Sequence, residues 1–236
     1  MSFLMNYLNN CVFIVLLGWM PLLCADVTFS HRTDAYQTHQ PVLYEMAMRT
    51  SGPIIEFGCG YGSTELLHEI CKADRRLLIS LDDDLEWLNI FKEQYKNDSE
   101  WHKFIFVPGK PSKNSSSAEH WVEFMRSCDL LQECSYDICF IDQSPWEGRV
   151  ETLKFMMDKA KFFIIHDCDY FPREGLFGKT IIPIIGNTPG VFDFSDAFRC
   201  FKVYFPIYPG RGWFGPPTLV GTDFDENLPE IDFNDY

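Results

Sequence analysis

The stretch PIIEFGCGYGSTELL, Pro53 to Leu67, decides how the chain is read. It opens on a short apolar run, Pro53 to Phe57, with one acid, Glu56, inside it. Glycines follow at every second place, Gly58, Gly60 and Gly62, and from Ser63 an amphipathic segment begins. Glycines this close together weaken any regular element, because each loses more backbone freedom on folding than another residue would. They predict a sharp bend from a buried strand into a helix, where a ligand touches the main chain. The helix starting near Ser63 points free N–H groups into that bend.

Outward from the bend, strand-like and helix-like patterns alternate. Thr64 to Cys71 reads as a helix with Leu66, Leu67 and Ile70 on one face, and LLISL, Leu77 to Leu81, as the second strand. Asp83 with Glu86 three places later reads as a helix start, with Asp84 a second candidate cap, ahead of a stripe of Leu88, Phe91 and Tyr95. KFIFV, Lys103 to Val107, is the third strand; Trp121, Val122, Met125 and Cys128 mark a helix. YDICFID, Tyr136 to Asp142, is the fourth strand; Leu153, Met156, Met157 and Ala160 mark the next helix. KFFIIHD, Lys161 to Asp167, is the fifth. Such alternation predicts a doubly wound, mostly parallel α/β sheet. Residues 170–198, rich in Pro, Gly and Phe, match no pattern well. FRCFKVYF, Phe198 to Phe205, and TLVGT, Thr218 to Thr222, joined through turns and no helix, predict an antiparallel strand pair at the sheet's end.

In an open parallel sheet, ligands bind beyond the carboxyl ends of the strands. Four strands end there in polar groups: Glu56 with the glycines, Asp82-Asp83-Asp84, Asp142, and His166-Asp167. Buried carboxylates without partners are costly, so core packing is a poor account of them. A glycine bend followed by an acid at the second strand end, Asp82, suits an adenosine-type ligand whose ribose diol the acid accepts. A dinucleotide site asks for G-x-G-x-x-G/A. Here Ser63 holds the sixth position, and Glu56 ahead of the glycines would repel a pyrophosphate but welcome a cation.

The pieces IIEFGCGYGST, LLISLDDDLEWL, YDICFIDQSPWEGR and FFIIHD resemble the class I S-adenosylmethionine-dependent methyltransferases, over about residues 40–220. The resemblance implies a Rossmann-like sheet with a C-terminal antiparallel pair, S-adenosyl-L-methionine as cofactor, and methyl transfer to a small-molecule or peptide-like acceptor. It implies that Glu56 holds the cationic methionine end, that Gly58, Cys59, Gly60, Gly62 and Ser63 line the cofactor, that Asp82 takes the ribose hydroxyls and Asp83 sits near the adenine, and that Asp142 and Gln143 close the pocket under the methyl group. Candidates for removing an acceptor proton are Asp142, His166, Asp167 and Asp169. Some metal-dependent members place acids after strands four and five with an Asn beside the second; Cys168 stands in that place here, so no metal ligand set is assigned. Two rival readings are a nicotinamide-dependent oxidoreductase, opposed by Ser63 and Glu56, and a secreted or tethered binding domain that keeps the fold without catalysis.

Several residues also have plain structural readings. His166 serves equally as a strand cap, Arg149 as an ion-pair partner of Asp142 or Glu147, and Trp87 as a packing residue between helix and sheet. His39 reads as a lid residue or a surface one. Tyr170, Phe171, Trp213 and Phe214 read as acceptor pocket, core or interface.

The net charge of −14 and the lack of a Lys/Arg cluster argue against a nucleic-acid partner. The uncharged run from Cys11 to Ala25 suits a signal-peptide core or a membrane anchor better than a full span, which points to a secretory or membrane-associated location and possible membrane association through residues 11–25. The glycosylation triplets at Asn97 and Asn114 agree with that route. Cys59 and Cys139 read as buried thiols, and no CxxC pair suggests zinc. The expected division is a leader over 1–25, a catalytic-type domain over 26–221, and a solvated acidic tail over 222–236, which holds six carboxylates and no Lys or Arg.

Overall fold

The computed structural model describes residues 27–110, 117–168, 179–185, 188–193, 197–224 and 227–236. The apolar leader, the Asn114 triplet, Asp169, Tyr170 and Phe171 lie outside the described residues. In chain order the elements are α1 (Gln40–Met48), β1 (Ile54–Phe57), α2 (Thr64–Lys72), β2 (Leu78–Asp82), α3 (Leu85–Gln94), β3 (His102–Phe106), α4 (Glu119–Ser127), α5 (Asp129–Glu133), β4 (Tyr136–Ile141), α6 (Trp146–Met156), β5 (Ala160–His166), β6 (Lys179–Ile185), β7 (Thr188–Asp193), β8 (Cys200–Tyr204), β9 (Ile207–Tyr208), β10 (Gly212–Trp213) and β11 (Thr218–Thr222).

Seven strands form the main sheet in the order β3-β2-β1-β4-β5-β11-β8. β1 to β5 run parallel, and β11 runs antiparallel to both β5 and β8. The chain order reverses between β1 and β4, so the loops after these strands open a crevice at the sheet's carboxyl end. β6 and β7 make a separate antiparallel hairpin in the span that sequence patterning left unassigned.

Side chains alternate across the sheet with period two, giving two cores. Ile55, Phe57, Ile79, Leu81, Cys139, Ile141 and Phe163 face Trp121, Met125, Leu131, Val150, Leu153 and Met156, from α4, α5 and α6. Ile54, Leu78, Ile138, Phe140, Phe162 and Ile164 face Val42, Leu43, Met46, Leu66, Leu67 and Cys71, from α1 and α2. The central strands are buried on both faces, which is why they read as near-continuous apolar runs. All described cysteines are free thiols. No helix among the described residues is long and apolar enough to cross a membrane.

The structure refines the sequence reading at four places. Ala160 opens β5 instead of continuing α6. Asp84, not Asp83, caps α3, its Oδ1 accepting the Glu86 and Trp87 N–H groups at 3.1 Å each. The segment after His39 is a helix, α1, with Pro41 in its first turn, a position where a missing N–H costs nothing. The acidic tail docks: Phe233 is buried against Tyr208 and His31, and the Tyr236 hydroxyl donates to Glu45 at 2.5 Å. Counting charges missed the aromatic anchors spaced among them.

Candidate active site

The bend after β1 is held by close packing and by two acids. Gly58 sits at φ 92°, and a Cβ there would fall 2.7 Å from the Gln143 main chain, so only glycine lets the bend lie on the end of β4. Asp82 accepts the Cys59 N–H at 2.9 Å on one oxygen and the Asp84 N–H at 2.8 Å on the other. Burial pushes the Asp82 carboxyl up to about 6 despite those two donors. Glu56 is fully buried; its oxygens accept the Thr64 hydroxyl at 3.0 and 3.1 Å and the Ser80 hydroxyl at 2.6 Å. Thr64 Oγ1 in turn accepts the Gly60 N–H at 2.9 Å. Trp87 Nε1 donates to the Cys59 carbonyl at 2.8 Å, its ring edge-on to Tyr61. It braces the bend as well as packing between helix and sheet.

The side chains of two further implied residues turn into the body of the protein. The alternation of β1 turns Glu56 toward the α2 side, where it shapes the loop through Thr64; burial raises its carboxyl to about 7. Gln143 turns its side chain into the body, 1% exposed, with Nε2 donating to Thr152 on α6 at 2.5 Å. Only its main chain meets the bend. Asp83 is also occupied, by Lys110 at 2.6 Å and His120 at 2.8 Å, and is 7% exposed.

The second half of the site lies after β4 and β5. Arg149, buried on α6, reaches back to Asp142 at 2.9 Å and Asp167 at 3.2 Å, and donates to the Gln143 and His166 carbonyls at 2.9 and 2.7 Å. His166 Nδ1 faces the other Asp142 oxygen at 3.2 Å, and its Nε2 faces Thr38 Oγ1 at 3.3 Å. Burial opposes charge on both partners. Opposite charge prevails: His166 and Arg149 bring the Asp142 carboxyl to about 2, and Asp142 with Asp167 raises His166. Asp167 holds a left-handed φ of 56°, a conformation non-glycine residues adopt at some cost and often at functional sites. Asp142 and Asp167 keep 22% and 18% of their side chains exposed, so the pair opens to the cleft.

His39, at the start of α1, is 3% exposed with neither ring nitrogen hydrogen-bonded. Its ring lies 4.5 Å from that of His166 and 5.1 Å from Phe140. Burial first, then His166, depresses it to about 3, against the opposing pull of Asp142 and of the Gly62 main chain, which lies beside the ring but outside hydrogen-bonding geometry. A Cβ at Gly62 would fall 3.1 Å from His39 Nε2, so this residue presses on the bend.

The structure therefore gathers the bend, Asp82, Asp142, His166 and Asp167 at one sheet end. Thr38, Ser80, His102, Lys110 and His120, which support them, carried no pattern in the sequence; their partners are tens of residues away. Two hollows flank the region. One of about 400 Å³ runs beside the bend along Gln37, Gln40, Tyr61 and Glu65; one of about 590 Å³ lies between α4 and Glu151. Neither is lined by Asp82, Asp142 or Asp167, so the acids themselves, not these hollows, define the site.

No family model matches the sequence, and no curated protein matches it. Solved structures do. A Klebsiella pneumoniae protein described as an O-methyltransferase matches at 16% identity and a TM-score of 0.51, over 82% of this chain and 86% of that one. The N-terminal domain of human METTL16, solved with SAH, matches at 12% identity and a TM-score of 0.50, over 81% and 71%. The 23S rRNA methyltransferase ErmE matches at 13% identity and a TM-score of 0.39, over 80% and 70%. The glycine bend at the reversal of strand order, the acid ending β2 and the reversed β11 between β5 and β8 fit these likenesses: the chain has the fold of the class I S-adenosylmethionine-dependent methyltransferases.

Proposed function

We propose that this protein is an S-adenosylmethionine-dependent methyltransferase acting on a small-molecule or peptide-like acceptor. The observation that carries the reading is the Cys59 N–H to Asp82 bond, which ties the glycine bend to the acid of the neighbouring strand. The residues present fit the cofactor. Asp82, pushed up to about 6 by burial, is a carboxylate with too few donors, and two of its lone-pair sites remain for ribose hydroxyls. An added Cβ at Gly60 would meet nothing nearer than Ser63 Oγ at 3.7 Å, so that main chain lies open. Bound there, the cofactor supplies a methyl group on a positively charged sulfur, which carboxylate walls favour.

The chain's own residues do the rest. Glu56 and Asp82 keep the bend in shape before any ligand arrives, which lowers the ordering cost of binding. Arg149 fixes Asp142 and Asp167 on the far wall, so an acceptor held there meets two oriented carboxylates. Asp167, open to the cleft, takes up the proton that an acceptor hydroxyl or amine gives up. The net charge of −14 supports a neutral or cationic acceptor over a polyanion.

The test is ligand binding by the full chain. S-adenosylmethionine and its demethylated product should each stabilise the protein by about 2.7 kcal/mol at 100 times their dissociation constants, and NAD should not. Asp82→Ala should abolish that stabilisation. Unchanged affinity in the variant, or stabilisation by NAD alone, overturns the reading; tight binding of the methyl donor with no turnover on any acceptor would favour a silent binding domain.

A further inference from the structure

We propose that His39, Asp142 and His166 form a binding site for one divalent transition-metal ion, zinc or a close chemical neighbour such as cobalt. One ligand atom from each residue lies within 4.8 Å of the others. Ligands about 2.1 Å from a shared ion stand roughly 3 to 4 Å apart, so the set closes on a metal by moving its widest pair about 1 Å. The second observation is His39 itself. A buried imidazole with both nitrogens unmatched is costly, and a metal would use the free lone pair. An apolar side chain would pack against Phe140 and the bend without that cost.

The surroundings are those of a ligand set. Thr38 gives its hydroxyl proton to the Pro216 carbonyl at 2.7 Å, so its lone pair accepts from His166 Nε2 at 3.3 Å and leaves Nδ1 aimed at Asp142. Arg149 holds one Asp142 oxygen at 2.9 Å, and the other faces His166. Such outer partners fix the tautomer and direction of metal ligands. Asp167 offsets the guanidinium beside them. Two imidazoles and one carboxylate select zinc, cobalt or iron over magnesium, which prefers oxygen. Cys168, which replaces the oxygen ligand expected after β5, points away, its thiol donating to the Ile165 carbonyl at 2.9 Å. Metal binding stands apart from the methyltransferase reading; only its use rests on that reading, since a metal beside the acceptor would lower the pKa of a bound hydroxyl.

The full chain, freed of metal by dialysis against a chelator, is titrated with Co²⁺ and Zn²⁺. Bound metal is counted after gel filtration, and Co²⁺ is followed by visible absorption. One equivalent per chain is expected, with a d–d spectrum that Zn²⁺ abolishes and a hundredfold excess of Mg²⁺ does not. His39→Ala and His166→Ala should each weaken Co²⁺ binding at least 10-fold, and His39→Ala should still bind the demethylated cofactor, which shows it folded. No stoichiometric metal in protein that binds that cofactor, or unchanged metal affinity in both variants, overturns the proposal. Metal binding by a chain that ignores the cofactor would leave the site standing and sink the methyltransferase reading.

Discussion

The molecule holds two pairs of buried histidines, and they differ in how completely they are matched. His68 and His102 face each other Nδ1 to Nδ1 at 3.0 Å; His102 Nε2 meets Ser80 Oγ at 3.1 Å, Ser80 meets Glu56, and His68 Nε2 faces Asp98 at 3.5 Å. While Glu56 is ionised Ser80 donates to it; with a proton on Glu56 that bond reverses, the chain runs donor to acceptor from Glu56 to Asp98, and both imidazoles are neutral. Burial favours that state: it depresses His102 to about 3, lowers His68 and raises Glu56 to about 7. In the second pair His166 is matched on both nitrogens and His39 on neither. A closed network with Tyr95 stacked on His68 at 3.7 Å is scaffolding for the glycine bend. A network that ends in an unmatched group beside two half-open carboxylates is where a ligand completes the structure.

The largest effect should come from cutting the closed pair. His102→Ala strands Ser80 and His68 and leaves a ring-sized cavity, so urea unfolding should show a loss of about 2–4 kcal/mol. The next effect is a pH dependence. An acid whose folded pKa is raised binds its proton more firmly in the native than in the unfolded chain. Its contribution is therefore intact below the ordinary value of 4.5 and is lost as pH climbs to about 7. Glu56→Gln removes that response. Stability of the wild type relative to the variant should fall across this window by on the order of 2 kcal/mol, and a flat difference would remove Glu56 from the network. The smallest effect belongs to the open pair. His39→Leu should not destabilise the metal-free protein, because no hydrogen bond is lost and a buried unmatched imidazole is removed, while it weakens Co²⁺ binding at least 10-fold. A large loss of stability there would make His39 as structural as His102.

These differences also explain what was legible in the sequence. Strand and helix alternation is a local signal, and Leu78, Phe104, Ile138 and Ile164 fall in strands where apolar runs predict them. The glycine bend was legible because its spacing breaks every regular period. The inward turn of Glu56 and Gln143 was not, because an acid or amide next to a strand end reads alike whichever way its side chain points. Neither was the docked tail, where Phe233 finds Tyr208 and His31 from far along the chain.

The sequence by itself determined the parallel sheet, the bend and the row of acids at the strand ends, because each follows from spacing within a few residues. Only the tertiary structure decided which acids are occupied and which remain open. That outcome depends on partners such as Ser80 for Glu56, Lys110 for Asp83 and Arg149 for Asp142, which the fold alone brings within hydrogen-bonding distance.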